Sequence, residues 1–324
     1  MTTHRERIQA ALRGEIIDRP PVALWRHFPV DDQSTEALAE AHLHYQKNYD
    51  FDLLKVTPAS SFCLKDWGVE DRWDGDTEGT RRYTKRVVSD ARDWESLPAL
   101  GPSSPHLAQQ LDCLRIIRGN LDPDTPLLQT IFSPLSQAKN LAGGDVLLEH
   151  MRQHPEAVMK GLETITETTR RFIDAARAAG IDGIFYAVQH AQKQLLRYEE
   201  YKFFGLPFDQ ECTEPAQDLW CNILHLHGQD VHFELAGDLH FQIVNWHDRE
   251  SSPSLAEAQK IFPGVVCGGM RQDTLVYRDA AEVRNEAADA LQQTDGKRFL
   301  LGTGCVVPVI ASHGNLMAAR KSVE

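Results

Sequence analysis

The stretch "NILHLHG", residues 222–228, sets His225 and His227 two positions apart in an apolar run. On a strand that spacing turns both imidazoles to one face. Imidazole carries protons near neutral pH and is a common metal ligand. A third donor lies in "GTGCVVP", where Cys305 follows Gly302-Thr303-Gly304. Two nitrogens and a sulfur suit Zn²⁺, which in catalytic sites takes three protein ligands and leaves one position open. The competing reading of the histidine pair is a hydrogen-bonded couple packed beneath a loop. Other reactive side chains also follow apolar runs. His190 comes after "GIFYAV", and His247-Asp248 after "FQIVNW". His190, and a histidine beside a carboxylate such as His247-Asp248, suit acid/base catalysis. Asp248 is equally placed to cap the helix that starts near "SSPSLAEAQ". Arg26 follows "PVALW". Its five-donor fork matches a carboxylate or phosphate, and a surface ion pair with Asp31 or Asp32 is the alternative.

These residues are far apart in sequence, so a scaffold must gather them. Eight apolar runs read as strands: residues 21–25, 51–57, 127–132, 183–188, 222–227, 241–246, 264–268 and 298–302. Helical patterns separate them, among them "PEAVMKGLETITETTRRFIDAARAAG", which stops at Gly180, and "DAAEVRNEAADALQQT". At the start of the chain, Thr3 and Glu6 make a capping box and Gly14 a stop. Strands alternating with helices imply an α/β chain with a parallel sheet, and eight of them imply a (β/α)8 TIM barrel. Such barrels carry their chemistry at the C-terminal strand ends, where the residues above lie. Residues 58–126 are too long for one connection. "GVEDRWDGDTEGTRRYTKRVV" alternates like a hairpin, so an inserted excursion is expected between strands two and three, on the barrel's top face. No repeat or linker divides the chain, and one domain over 1–324 is expected.

The composition agrees. At 324 residues the chain suits one barrel of about 250 residues with insertions. The net charge of -13 argues against a nucleic-acid partner, which would need clustered Lys and Arg. No apolar run reaches the roughly 20 residues of a membrane span, and the first residues have no signal-peptide core. The six cysteines form no C-x-x-C pair. Reduced thiols and a cytoplasmic location are expected.

"RERIQAALRGEIIDRPPVALWR" resembles the opening of the uroporphyrinogen decarboxylase superfamily, R-x-R-x-x-x-A-L-x-G-x-x-x-D-R-x-P-V. "IFSPLSQAKNLAGG" resembles its third-strand segment. "GIFYAVQHA", "NILHLHG" and "VVCGGMRQDTL" fall in order where later strands belong. The likeness spans nearly the whole chain and implies the same barrel. One branch decarboxylates uroporphyrinogen without a cofactor. The other contains zinc methyltransferases, which take a methyl group from a corrinoid protein and pass it to a thiol. Arg26 matches the first arginine of the decarboxylase signature R-Q-A-G-R-Y, but His27-Phe28-Pro29-Val30 replaces the rest. The decarboxylase aspartate falls near Thr57, its tyrosine at Asn140, its serine near Ala187 and its C-terminal histidine at Gly304. Arg26, His27, Thr57 and Asn140 are therefore expected to line the substrate site. The methyltransferase pattern is H-x-C followed by G-C-G. His225 and Cys305 match it, and His227 stands where the first cysteine belongs.

The resemblance implies a metal-dependent, methyltransferase-type enzyme with Zn²⁺ on His225, His227 and Cys305. It further implies an anionic small-molecule substrate, a corrinoid-protein partner and a homodimer. Decarboxylation of a porphyrinogen or related acid, and non-catalytic tetrapyrrole or corrinoid binding, are the alternatives.

Overall fold

A computed structural model describes residues 2–324. The apolar runs become strands β1 (Leu54–Val56), β4 (Leu127–Phe132), β5 (Gly183–Val188), β6 (Ile223–Leu226), β7 (Ile243–Trp246), β8 (Val265–Met270) and β9 (Phe299–Thr303). Between β1 and β4 lie β2 (Glu70–Arg72) and β3 (Arg82–Lys85), which form a separate antiparallel hairpin. The seven other strands make one parallel sheet in the order β1-β4-β5-β6-β7-β8-β9. Every residue in those seven strands is buried. That is the environment of a parallel sheet with helices on its outer face, and it explains why the runs are apolar without alternation. The helix Pro155–Ala178 shows the complementary pattern, burying Leu162, Ile165, Thr169, Phe172 and Ala176 along one stripe.

The first expected strand, 21–25, is reduced to one parallel bridge between Val22 and Leu301. Pro20 and Pro21 have no N–H to donate. Val22 N–H goes instead to the Asp52 carboxylate at 2.8 Å. The segment still bonds on two sides: Ala23 N–H donates to Leu301 O at 2.9 Å, and Asp52 N–H to Val22 O at 2.8 Å. It therefore links β9 to the residues that lead into β1.

Asp52 anchors this seam. Its fully buried carboxylate accepts from Arg19 at 2.6 and 3.0 Å, from His4 Nδ1 at 2.9 Å and from Arg7 at 3.1 Å. Burial alone would raise its pKa, but these donors hold it down at about 2. The helix His4–Arg13 has the expected Thr3/Glu6 capping box, and Gly14 closes it at φ 76°.

The β2–β3 hairpin reaches the strand ends. Val309 N–H donates to Thr77 O at 2.7 Å, and Gln272 Nε2 to Glu78 at 3.1 Å. Arg81 is held by Asp71 at 2.9 Å and Asp32 at 3.1 Å. At Gly79, φ is +79°, and an added Cβ would sit 2.4 Å from His27 Cβ. Only glycine lets the turn close on that histidine. No helix among the described residues is long and apolar enough to cross a membrane.

Candidate metal centre

Strand alternation turns Leu224 and Leu226 away from the interior and His225 and His227 toward it. Register places His225 beside Asn245 of β7. His247 follows β7, and its ring centroid lies 6.2 Å from that of His225 and 5.3 Å from that of His227. Cys305 follows β9, and its Sγ is 3.8 Å from His225 Nε2 and 3.6 Å from His227 Nδ1. One donor atom from each of these four residues lies within 4.8 Å of the others. Gly304 makes this approach feasible, since a Cβ there would meet His247 Cα at 2.7 Å and Trp246 O at 3.0 Å. The Thr303 hydroxyl donates to Cys305 O and ties the loop down.

Burial sets the protonation states. It pushes His225 well below the ordinary histidine value, His227 to about 4, and His247 downward. It raises the Cys305 thiol to about 12. The three imidazoles are thus neutral, as metal ligation requires, and the thiol stays protonated unless a cation stabilises its anion. Asn245 fixes one tautomer. Its Nδ2 donates to Cys267 O and Thr303 O, both at 3.0 Å, so Oδ1 must be the acceptor facing His225 Nδ1 at 2.7 Å. His225 Nδ1 therefore carries the proton, and the Nε2 lone pair faces Cys305. His247 Nε2 is buried with no partner, while its Nδ1 lies 3.4 Å from Glu250. These donors fit a divalent metal of the zinc type, with His247, expected from the sequence in an acid/base role, as a third nitrogen and fourth donor.

The cluster opens on a cavity of about 500 Å³. That volume lies within the usual range of small-molecule sites. His27, Thr57, Asn140 and His190 all line it. Phe185 stacks on His225 with centroids 5.1 Å apart. Lys55 Nζ sits 4.4 Å over the Phe185 ring and 3.3 Å from Thr57 Oγ1. Burial brings this lysine down to about 7.

Two expected site residues stand elsewhere. Trp25 and His27 line the cavity, so Arg26 between them points the other way. Its guanidinium lies over Phe28 and donates to Val309 O at 3.3 Å. Asp248 turns beneath its strand end and accepts from Gly269 N–H at 3.1 Å. It anchors the end of β8 rather than lining the cavity. Arg86 and Lys139 were not singled out from sequence, and Lys55 and Asn245 stood out only as strand-end residues without a role. Lys55 could have been given one, as the one cation inside an apolar strand run.

A profile of the family described as uroporphyrinogen decarboxylase (URO-D) matches residues 3–324. The chain belongs to the URO-D family. No curated protein matches its sequence. Among solved structures, it is similar to a methyltransferase from Methanosarcina mazei, at TM-score 0.87 and 18% identity, covering 99% of this chain and 98% of that one. A B12-independent methionine synthase from Shewanella sp. W3-18-1, in complex with selenomethionine, aligns at TM-score 0.58 and 14% identity over 89% of this chain and 86% of that one. A putative vitamin-B12-independent methionine synthase from Listeria monocytogenes aligns at TM-score 0.57 and 10% identity over 94% of each chain. At these identities the structural likeness concerns the fold.

Proposed function

We propose that this URO-D family member is a metal-dependent methyltransferase-type enzyme, with Zn²⁺ held by His225, His227 and Cys305 and a corrinoid protein as methyl donor. On this reading residues 1–324 form one closed (β/α)8 domain with an excursion over its mouth, acting in the cytoplasm as a homodimer. The observation that carries the proposal is the meeting of the Cys305 thiol with three neutral imidazoles, His225 buried and His227 and His247 half-buried, beside a cavity that His225, His227 and Cys305 line. When bound, the metal supplies Lewis acidity that lowers the pKa of a coordinated thiol or hydroxyl. Imidazole in place of a second thiolate makes the donor set less negative and strengthens that effect.

The chain's own residues have separate tasks. Asn245 orients His225, and Phe185 and Trp25 exclude water from the cluster's cavity side. His190, lowered to about 4 by burial and then by Lys139, is a neutral hydrogen-bonding group at the substrate. Asp248 supports the end of β8 from behind. Methyl transfer requires the carbon–cobalt bond to break with its electron pair left on cobalt, while the acceptor's lone pair forms the new bond to carbon. The second reading, metal-free decarboxylation of a carboxylic acid, draws support from Lys55, a buried amine able to hold or release a proton near neutrality.

Metal content decides between them. Protein purified without chelator, or loaded with Zn²⁺, is expected to hold one metal per chain and to lose it in His227→Ala. Methylcobalamin demethylation in the presence of a thiol panel then follows by absorbance. Absence of metal after loading would overturn the proposal. CO₂ release from a porphyrinogen would establish the decarboxylase.

A further inference from the structure

The cavity has an excess of cationic charge that the protein does not neutralise. Its one acidic lining residue among those described is Glu78, which burial makes easier to protonate and which Gln272 holds at 3.1 Å. Arg81 is matched by Asp32 and Asp71, and Arg82 by Asp74. Arg86 and Lys139 are different. Arg86 Nη1 donates to two backbone carbonyls, Asn140 O at 2.7 Å and Lys139 O at 3.2 Å, and its guanidinium lies over Tyr83. Nη2 and Nε are left free for a ligand. Lys139 is half-buried, and the influences on its amine are burial and the charge of Arg86, with no acid or hydrogen-bond acceptor among the described residues. Beside them His190 is 3% exposed, and its Nδ1 is buried without a partner. Buried charges are ordinarily paired because leaving water is costly. An exposed Arg86, a half-buried Lys139 and the buried, unpartnered His190 line one cavity, and among the described residues no acid pairs with either cation.

The geometry points to an oxyanion subsite formed by Lys139, Arg86 and His190, which takes a carboxylate or phosphate at one end of a small substrate whose other end reaches the His/Cys cluster. Arg86, Lys139 and His190 line the same cavity as His225, His227 and Cys305. The inference rests on the proposed function only for what happens at that other end. The subsite also supplies the anionic recognition expected of Arg26, which faces away from the cavity.

Calorimetric titration of the full chain with propionate, and separately with inorganic phosphate, tests it. At least one anion should bind, and the tighter one tells a carboxylate substrate from a phosphoester. Lys139→Met and Arg86→Gln should each weaken binding by about tenfold or more, as loss of a charge-assisted hydrogen bond does. Lys139→Arg should largely restore it, and Arg72→Gln, on the exposed hairpin, should change nothing. Failure of both anions to bind, or binding unchanged in Lys139→Met and Arg86→Gln, would overturn the subsite. Circular dichroism confirms that each variant is folded, and Arg86→Gln carries the test if Lys139→Met is not. Metal content, read on the same samples, is independent. Anion binding that depends on Lys139 in a protein that holds no metal would sink the metal reading and leave the subsite standing. A metal-loaded protein blind to both anions would do the reverse.

Discussion

Asn245→Ala probes how the candidate centre is held. The substitution removes the acceptor of the 2.7 Å bond from His225 Nδ1 and the two 3.0 Å bonds to Cys267 O and Thr303 O. Without Oδ1, His225 can carry its proton on either nitrogen and its ring can turn. Loss of an outer partner of this kind costs roughly 10–100-fold in metal affinity, equivalent to about 1.4–2.7 kcal/mol. The metal-free protein should also lose about 2–4 kcal/mol of stability, from three buried hydrogen bonds at about 1 kcal/mol each and the strain of unmet acceptors. Competition with a chromophoric chelator measures the first effect, and urea unfolding in excess chelator the second. Asn245→Asp is the informative companion. It keeps an acceptor for His225 but sets its second oxygen against the two carbonyls, so stability should fall further than metal affinity. A folded Asn245→Ala protein that binds metal with wild-type affinity would refute the idea that this amide fixes the ligand.

Three further outcomes follow from the same geometry. Asp52→Asn should cost about 3–5 kcal/mol in urea unfolding, since Arg19 would stay buried without its counter-charge. Because Asp52 is held at about 2, its contribution should be complete above the ordinary carboxylate range and disappear as pH falls through about 2, which acid unfolding of wild type against variant would reveal. Gly304→Ala should leave the far-ultraviolet spectrum intact but sharply reduce metal binding, because the new Cβ would push on the backbone of His247 and displace Cys305. Lys55→Met should stabilise the metal-free protein by on the order of 3 kcal/mol at neutral pH. A lysine lowered to about 7 binds fewer protons folded than unfolded, so wild-type stability should rise from pH 7 toward 10 and the advantage of the variant should shrink.

Most of the scaffold was legible from the apolar runs, because buried parallel strands read as continuous hydrophobic segments. The segment 21–25 read the same way, yet two prolines and a side-chain acceptor left it a single bridge. The candidate trio His225, His227 and Cys305 was legible because H-x-H on a strand and a glycine-flanked cysteine have local signatures. The role of His247 was hidden, since whether it meets His225 depends on how β7 ends relative to β6. Lys139 was hidden for another reason. In the helix Pro134–Ala142 it is the one residue outside the buried set. In sequence such a lysine reads as a solvent face, whereas here the open side is the cavity. Arg26 and Asp248 misled through parity: one step along an extended chain turns a side chain to the opposite side.

The order of these residues along the chain has a consequence for how the protein can change. Lys55, Arg86, Lys139 and His190 all precede β6, and the four His/Cys donors all follow its start. The two sets meet across the β5–β6 pairing, where Ala187 lies opposite His225. On the proposed reading, recognition and reactivity are thus written in successive stretches of one polypeptide. Recombination that swaps residues up to β5 would hand the donor cluster a new clientele, while its coordinating atoms are inherited intact.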